Sequence, residues 1–385
     1  MTTPKGVGAA ISVRSVFQGN AIAALFVMLG VLFGSWASRI PAMRDGLQLS
    51  AAQLGLVLCG GGLGAILAFP FSAWMIARFG ARHTVLYAGA VLLLGLVGLA
   101  AAPHMAWLMA AMVCFGMCAS VFDVAINMVA ADAEKAAGRS LMSVLHAWYC
   151  AGTFSGAMLG GVMAALSIGP VVHFSGVALL LALRLWVAYQ TLPGDGSCRQ
   201  SEKKHFALPH GALALLGVIG FFAAIAEGSI ADWSGIYLKD QLGAGEGVAP
   251  LAYAGFAAMM FCTRLAGDRL KDAFGARVVV AAGALLSTTG VMTAVLAANV
   301  ATAVLGFALS GAGVALTFPF IFSAAGRYGG TALAGVATLG YSGGLIGPPA
   351  IGFLSDRFGM QSGLMFIAFL SAVVALMTCR AKILD

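Results

Sequence analysis

Long apolar stretches separated by short polar turns run along nearly the whole chain. A membrane-spanning helix needs about 20 apolar residues, and the pattern offers about twelve such stretches. We predict spans at 17–40, 51–76, 83–102, 105–131, 140–165, 171–190, 211–238, 249–267, 277–297, 300–323, 331–354 and 361–381. The first stretch is too long for the apolar core of a cleavable signal peptide. The pattern therefore predicts an all-α membrane protein with twelve transmembrane helices.

Composition agrees with this prediction, since 61% of the residues are hydrophobic, 9% are charged and the mean hydropathy is +0.97. The net charge of +7 would suit a nucleic-acid partner, but its distribution argues against one. With a cytoplasmic N-terminus, the outer side keeps only four of the 21 Lys and Arg residues, Arg39, Arg44, Lys239 and Arg357. This positive-inside bias predicts that both termini are cytoplasmic.

The longest polar stretch, residues 192–210, lies between the sixth and seventh predicted spans. Its Pro, Gly, Ser and charged residues are typical of a linker. We therefore predict an N-terminal six-helix bundle over 1–191, a cytoplasmic linker over 192–210 and a C-terminal six-helix bundle over 211–385.

The two predicted halves repeat each other. FGAR at 79–82 recurs at 274–277, an offset of 195 residues. Three glycine pairs share that offset: Gly95 with Gly290, Gly116 with Gly311, and Gly152 with Gly347. At nearly the same offset, SW at 35–36 corresponds to DW at 232–233. A repeat of this length indicates a duplicated six-helix unit.

Five segments carry a family resemblance: GSWASRIPAMRDGLQLSAAQLG (34–55), FDVAINM (122–128), SVLHAWYCAG (143–152), EGSIADWSGIYL (227–238) and RLAGDRLKDAFGAR (264–277). Through them the chain resembles the major facilitator superfamily over nearly its full length. It is most similar to the bacterial branch of fucose-permease-like, MosC-like and YbjJ-like inner-membrane proteins. The resemblance implies the major facilitator fold, secondary transport and a place in the bacterial inner membrane.

The resemblance also implies a gating loop motif, GxxxDRxGRR in outline, after the second and eighth helices. The C-terminal copy keeps Asp268, Arg269, Asp272, Gly275 and Arg277. The N-terminal copy keeps Arg78, Gly80 and Arg82, but Ala77 stands where the acid is expected. This replacement argues against a charge-relay latch on the N-terminal side.

Asp123 and Asn127 lie inside the fourth predicted span. Ionisable groups at bilayer depth are costly and usually mark an ion or solute pathway. Their spacing of four residues places both side chains on one helix face. Because burial penalises the charged form, such a carboxyl group can take up and release a proton near neutral pH. We therefore predict proton coupling at Asp123 and solute binding at Asn127; the alternative is a structural acid.

Glu227 and Asp232 lie in the seventh predicted span. They are five residues apart, about 140° around an ideal helix, so a local break at Gly228 would help both to face a cavity. We assign proton coupling to Glu227 and solute binding to Asp232. The alternative for Asp232 is a helix-end ion pair with Arg39.

His146 and four aromatic residues complete the predicted solute site. A histidine can titrate near neutral pH or bind a solute hydroxyl, although a lone one in a membrane often only bridges helices. Trp36, Trp148, Trp233 and Tyr341 are possible stacking surfaces for a sugar ring. Aromatic residues near helix ends also serve as membrane-interface anchors.

Other classes of function lack support in the sequence. There is no GxxxxGK[ST] nucleotide-binding motif and no nucleophile–base constellation, so we expect neither an enzyme nor an ATP-driven pump. Cys114 and Cys118 have no matching His pair, which favours packing over a metal site. We expect no cofactor and no metal.

The sequence is best interpreted as a monomeric secondary transporter. Its partners would be the lipid bilayer, protons and a small polar solute, sugar or polyol-like, moved by symport. One alternative is an exporter of drugs or cationic metabolites, because the predicted site residues are mostly acidic. An alternative of another class is a non-transporting membrane receptor or scaffold.

The linker prediction can be tested by labelling. A Ser197→Cys variant should react with thiol reagents from the cytoplasmic side only, because the polar segment 192–210 is predicted to lie there. Labelling by a membrane-impermeant reagent in intact cells would overturn the predicted topology.

Overall fold

The computed structural model describes residues 13–137, 141–192 and 209–385, with side chains described at these positions except 13–18 and 69. It contains the helices α1 Val13–Gly46, α2 Ala51–Ala100, α3 Met105–Ala137, α4 Met142–Ala165, α5 Pro170–Thr191, α6 Ala212–Leu242, α7 Leu251–Leu265, α8 Gly267–Phe274, α9 Ala276–Leu296, α10 Val300–Val314, α11 Thr317–Gly326, α12 Gly330–Tyr341, α13 Gly343–Phe358 and α14 Met360–Arg380, then a 3-10 turn at Lys382–Leu384. Apart from residues 192, 209 and 210, the predicted linker lies outside the described residues.

These helices correspond to the twelve predicted spans. Helix α2 contains the second and third spans, separated at Gly80 by a non-helical residue. The tenth span is divided into α10 and α11, and the eleventh into α12 and α13. Within the described ranges, nine helical segments are long and apolar enough to cross a membrane. The other three spans correspond to α4, α7 and the pair α12–α13.

The interruption in the eleventh span lies at Ser342, between α12 and α13. Pro348 and Pro349 are inside α13, and their rings remove two helical N–H donors. The interruption lies six residues ahead of Pro348, and the helix continues through both prolines. The break is surrounded by the glycines Gly340, Gly343 and Gly344. Glycine destabilises a helix, so these residues do not favour a continuous one.

The sequence repeat is also a structural repeat. Gly80 and Gly275, the equivalent glycines of the two FGAR segments, have φ values of 82° and 78°, a conformation that favours glycine. A Cβ on Gly116 would stand 2.2 Å from the carbonyl oxygen of Gly61, and one on Gly311 would stand 2.2 Å from that of Phe256. Gly61 and Phe256 are themselves 195 residues apart. The same helix contact therefore occurs at the same position in both halves.

Backbone-to-backbone contact between glycine-lined faces holds the helices together. A Cβ on Gly34 of α1 would stand 2.1 Å from the Thr153 carbonyl oxygen of α4. A Cβ on Gly156 of α4 would stand 2.4 Å from the Val31 carbonyl oxygen of α1. Lipid provides no hydrophobic drive for helix association, so close packing of small residues supplies much of the attraction. The small-residue stretch at 152–161 therefore packs tightly against neighbouring helices.

This packing predicts unequal effects for two glycine substitutions in α2. A Cβ on Gly64 would stand 2.0 Å from the Val113 carbonyl oxygen of α3, whereas one on Gly98 would meet nothing within 4 Å. Gly64→Ala should therefore destabilise the protein by about 1–3 kcal/mol through overpacking. Gly98→Ala, the matched control, should leave the melting temperature in detergent unchanged or slightly raised. Equal losses in both variants would contradict the packing argument.

Candidate functional site

Asp123 and Asn127 form a hydrogen-bonded pair on α3. Asn127 Nδ2 donates to Asp123 Oδ1 at 3.0 Å and to the Asp123 carbonyl oxygen at 2.9 Å. Both side chains are half-buried. The spacing of four residues thus places the acid and the amide on one face, as predicted.

Helix α6 provides Glu227 and Asp232, both half-buried. Glu227 Oε2 is enclosed and has no hydrogen-bond partner among the residues that the structure describes. The predicted break at Gly228 is wrong, because α6 runs unbroken from Ala212 to Leu242. The two acids therefore keep the angular separation of a regular helix.

The alternative ion pair between Asp232 and Arg39 is also wrong. Arg39 Nη2 donates instead to the carbonyl oxygen of Ile168, in the turn between α4 and α5. Asp232 is within electrostatic range of Tyr253 on α7. Asp232 therefore belongs to the interior of the bundle rather than to a helix-end pair.

Arg264 on α7 connects the two halves. Its Nη1 donates to Cys150 Sγ of α4 at 2.9 Å, and its Nε donates to the Ala315 carbonyl oxygen at 3.2 Å. Arg264 also lies within electrostatic range of Glu227. It is therefore a positive charge close to the acid of α6.

Sequence reasoning had missed Arg264 as a site residue. It lies near the end of the predicted span 249–267, a position typical of residues that set membrane topology. The sequence does not distinguish an arginine that points into the bundle from one whose charged group extends toward the membrane surface. Only the helix packing shows that it turns toward the interior.

Three tyrosines, Tyr149, Tyr253 and Tyr341, lie near these charges. Tyr341 is within electrostatic range of Asp123, Glu227 and Arg264, and Tyr149 is within range of the same three residues. Tyr341 is 55% exposed. Because its charged neighbours come from both halves, that exposure indicates an internal space rather than the outer surface.

One wall of this internal space is aromatic. The Tyr341 ring stacks on Phe318 with a centroid distance of 5.7 Å and meets Phe322 edge-on at 5.6 Å. Tyr253 lies within electrostatic range of Tyr149 and Glu227. Asp123, Tyr149, Glu227, Arg264 and Tyr341 define what we call the central site.

His146 lies beside the central site, whereas Trp148 does not. The His146 ring meets Phe26 edge-on at 5.3 Å and is within electrostatic range of Arg264. Trp148 is 45% exposed and lies on the exposed stripe of α4 that also carries Val144 and Val162. In a membrane bundle such a stripe faces lipid, and this placement argues against a stacking role for Trp148.

Trp36 and Trp233, the equivalent tryptophans of the two halves, are packed in the protein interior. Their exposed fractions are 2% and 0%. A ring that is covered on both faces cannot also stack on a solute. The structure therefore assigns both to the walls of the bundle instead of to an open stacking surface.

The gating-motif residues contact their own halves. Arg82 Nε donates to the Tyr189 carbonyl oxygen at 3.1 Å, and Arg277 Nε pairs with Asp385 at 3.0 Å. The Arg78 guanidinium lies 5.7 Å from the Phe79 ring. The remaining charged members of the C-terminal copy are exposed: Asp268, Arg269 and Asp272.

The two halves meet through ion pairs at the end of the bundle where α1 and α6 finish, here called the α1–α6 end. Arg44 pairs with Asp240 at 2.5 Å, and Lys239 pairs with Asp45 at 2.5 Å. At the same end, a Cβ on Gly352 of α13 would stand 2.5 Å from the Ala51 carbonyl oxygen of α2. The α1–α6 end is therefore closed.

Comparison with known proteins gives the family. The model of the Major Facilitator Superfamily matches residues 21–271. The chain belongs to the major facilitator superfamily. An uncharacterized MFS-type transporter of Yersinia pestis is 34% identical, over 91% of this chain and 92% of its own length. The membrane protein MosC of Rhizobium meliloti is 30% identical, over 92% of this chain and 88% of its own.

Solved structures share the fold. A bacterial homolog of the human lysosomal transporter Spinster superposes with a TM-score of 0.78 at 14% identity, covering 97% of this chain and 98% of its own. The nucleoside transporter NupG gives 0.77 at 12%, covering 95% and 100%. The Escherichia coli fucose:proton symporter FucP gives 0.64 at 15%, covering 96% and 99%. These structures show that the chain has the twelve-helix fold. Its family and its curated relatives are multi-pass membrane transporters, not enzymes.

Proposed function

We propose that this chain is a proton-coupled symporter of a small polar solute, sugar or polyol-like, in the bacterial inner membrane. The observation that carries the proposal is the central site. There, Asp123 of α3 and Glu227 of α6 lie on opposite halves, both within electrostatic range of Tyr341. A site between two repeats, made by side chains of both, is where such transporters bind their cargo.

The chemistry of the central site suits a solute with hydroxyl groups. Carboxyl oxygens and the Asn127 amide accept and donate hydrogen bonds, and the Tyr341 ring offers an apolar face. The positive charge of Arg264 lies near the negative charge of Glu227. The two charges partly cancel, so a neutral solute meets little net charge in the site. His146 is within electrostatic range of Arg264, and Asp232 is within range of Tyr253, so both add polar groups to this region of the bundle.

Two of the solved structures give limited support for this cargo class. Their names describe transporters of fucose and of nucleosides, which both carry several hydroxyl groups. At 12% and 15% identity this is an analogy at the level of the fold. It raises the expectation of a hydroxylated solute.

Asp123 and Glu227 are the proposed proton carriers. A carboxylate without a full set of partners in a dry interior is costly, so loading a proton removes the penalty. Glu227 Oε2 is enclosed without a partner among the described residues, whereas Asp123 Oδ1 accepts from Asn127. The two acids therefore differ in environment, which allows one to load a proton while the other binds solute.

Transport would follow from rocking of the two halves, residues 1–191 and 211–385, around the central site. The positive-inside bias places the α1–α6 end in the periplasm, with both termini and the linker 192–210 in the cytoplasm. Because the α1–α6 end is closed by Arg44–Asp240 and Lys239–Asp45, this conformation faces inward. We expect the protein to act as a monomer.

Export of a cationic solute is the second candidate. The three acids Asp123, Glu227 and Asp232 outnumber the two arginines, Arg39 and Arg264, among the interior charges described above. An excess of acid favours a bound amine. A scaffold without transport activity would show no counterflow at all.

A thermal-shift screen followed by transport separates these functions. Purified protein would be tested against sugars, polyols and amines, and each stabilising solute would then be radiolabelled for uptake into proteoliposomes. Stabilisation by neutral polyhydroxylated solutes with uptake driven by a pH gradient supports the proposal. Stabilisation by amines only would favour the exporter.

Asp123→Asn should abolish uphill accumulation but leave some counterflow. The amide keeps the size of the carboxyl group but cannot carry a proton between the two sides of the membrane. Asp132→Asn is the matched control, because Asp132 is exposed on the same helix. Wild-type accumulation in Asp123→Asn would show that protons are carried elsewhere.

Glu227→Gln should weaken solute binding by roughly 10-fold or more, since a hydrogen bond to a carboxylate contributes about 1.5–3 kcal/mol. The melting temperature should change little, because glutamine keeps the size of the side chain and Glu227 Oε2 has no hydrogen bond to lose among the described residues. Calorimetry with the solute found in the screen measures the affinity. Unchanged affinity would place the solute away from α6.

A further inference from the structure

A series of aromatic rings lies on the outer surface of the N-terminal half. Within α2, Phe71 stacks on Trp74 with a centroid distance of 5.5 Å, and Trp74 meets Phe79 edge-on at 5.8 Å. Phe79 meets Tyr87 edge-on at 5.6 Å, across the non-helical residue Gly80. All four aromatic side chains are exposed. An exposed apolar patch of this kind is typical of a surface that contacts a membrane or a partner.

The series continues from α2 to α5. The His83 ring lies 6.3 Å from Tyr87 and meets Tyr189 of α5 edge-on at 5.7 Å. Tyr189 in turn lies 5.8 Å from Trp186, which belongs to an exposed stripe of α5 that also carries Leu183. The rings therefore face lipid and not the internal space. Together they form what we call the aromatic strip: Phe71, Trp74, Phe79, His83, Tyr87, Trp186 and Tyr189.

Two arginines lie on the aromatic strip. The guanidinium carbon of Arg78 is 5.7 Å from the centroid of the Phe79 ring, and that of Arg82 is 4.5 Å from the centroid of the Tyr189 ring. Arg82 Nε also donates to the Tyr189 carbonyl oxygen at 3.1 Å, which holds Arg82 between α2 and α5. Arg78 is exposed, and no carboxylate of the described chain lies within ion-pair distance of its guanidinium.

The equivalent surface of the C-terminal half lacks this strip. With the offset of 195 residues that relates the two FGAR segments, only Phe79 among the five rings of α2 has an aromatic equivalent, Phe274. The other four correspond to residues without an aromatic ring: Phe71 to Ala266, Trp74 to Arg269, His83 to Val278 and Tyr87 to Ala282. An anchoring belt common to both repeats would appear in both copies. The strip is therefore a property of the N-terminal half alone.

The charges of the two copies differ as well. In the C-terminal copy, Asp268 and Asp272 offset the charge of the neighbouring basic residues. Ala73 and Ala77 stand at the equivalent positions of the N-terminal copy. The segment 71–82 consequently contains both arginines of the strip and no acid. This surface thus combines exposed aromatic rings with uncompensated positive charge.

The position of the strip in the membrane suits an anionic phospholipid. Helix α2 begins at the α1–α6 end and reaches Gly80 at the opposite end, which the positive-inside bias places at the cytoplasmic surface. Anionic lipids of the inner leaflet attract basic residues there. A guanidinium can donate two parallel hydrogen bonds to a phosphate group. Aromatic rings favour the boundary between headgroups and acyl chains.

We propose that the aromatic strip binds an anionic phospholipid of the inner leaflet, with the lipid phosphate on Arg78 and an acyl chain along Trp74 and Phe71. Those two rings precede Arg78 in α2 and so lie deeper in the bilayer. Arg82 adds positive charge next to the phosphate. The lipid site lies on the outer surface, apart from the central site, and does not depend on the transported solute or on proton coupling.

The test titrates the purified, delipidated full-length chain with single lipids in detergent and measures bound lipid by native mass spectrometry. Phosphatidylglycerol, which is anionic, should bind at least about fivefold more tightly than phosphatidylcholine, which carries a phosphate but no net charge. Equal affinities would mean that the strip is a general anchor at the membrane interface, and would overturn the proposal.

Variants locate the headgroup. Arg78→Gln should weaken phosphatidylglycerol binding by about fivefold or more, because the exposed guanidinium is lost. Arg380→Gln is the matched control, because Arg380 is exposed at the same end of the bundle in the C-terminal half, and it should bind as the unaltered protein does. Equal losses in the two variants would show an unspecific attraction to the basic cytoplasmic surface and would contradict the proposed site.

Tryptophan fluorescence locates the acyl chain. In nanodiscs that contain both lipids, brominated phosphatidylglycerol should quench the protein more than brominated phosphatidylcholine does, because bromine quenches only tryptophans in contact with it. This excess should fall in Trp74→Phe and persist in Trp148→Phe, since Trp148 is exposed on the lipid-facing stripe of α4. An excess that is unchanged in Trp74→Phe would place the anionic lipid away from the strip.

Discussion

The cost of placing a charge in a lipid bilayer determines how this molecule is organised. Most of the chain can be apolar because its helices satisfy their own backbone hydrogen bonds. Each ionisable side chain must then reach a membrane surface or find compensation inside the bundle. Asp123, Glu227 and Arg264 take the second course, and they come together from three helices. The same constraint makes Arg39 notable, because its guanidinium is buried and only partly paired within the part of the chain that the structure describes.

Glycine is what allows the apolar helices to come close enough for these groups to meet. The contacts at Gly116 and Gly311 occur at equivalent positions of the two halves, each against a backbone carbonyl oxygen. Such contacts fix helix positions through backbone shape instead of side-chain interdigitation. A duplicated scaffold then carries different chemistry in each half: Asp123 with Asn127 in one, and Glu227 with Arg264 in the other.

Contacts between the halves differ along the bundle. The α1–α6 end is held by Arg44–Asp240 and Lys239–Asp45, which are partly exposed and therefore individually weak. Deeper in the bundle, Arg264 bonds to Cys150 of the other half. Weak ionic contacts at one end and a polar contact beside the central site are compatible with a bundle that opens and closes around that site.

The sequence alone determined much of the fold, because long apolar stretches in lipid have few alternatives to helix. It also determined the repeat, through FGAR and its glycine pairs, and the Asp123–Asn127 pair, through a spacing of four residues. Gly228 shows the limit of such local reasoning: glycine permits a break but does not impose one, and α6 stays continuous.

Tertiary structure decided which polar and aromatic residues meet. Trp148 and Tyr341 are both exposed, yet one lies on the outer stripe of α4 and the other beside Asp123 and Glu227. Arg264 lies near a helix end, where sequence cannot separate a surface charge from an interior one. The physical reason is that spacing along the chain fixes a side chain's direction only relative to its own helix. Whether that direction is lipid, a neighbouring helix or an internal space depends on how the helices pack.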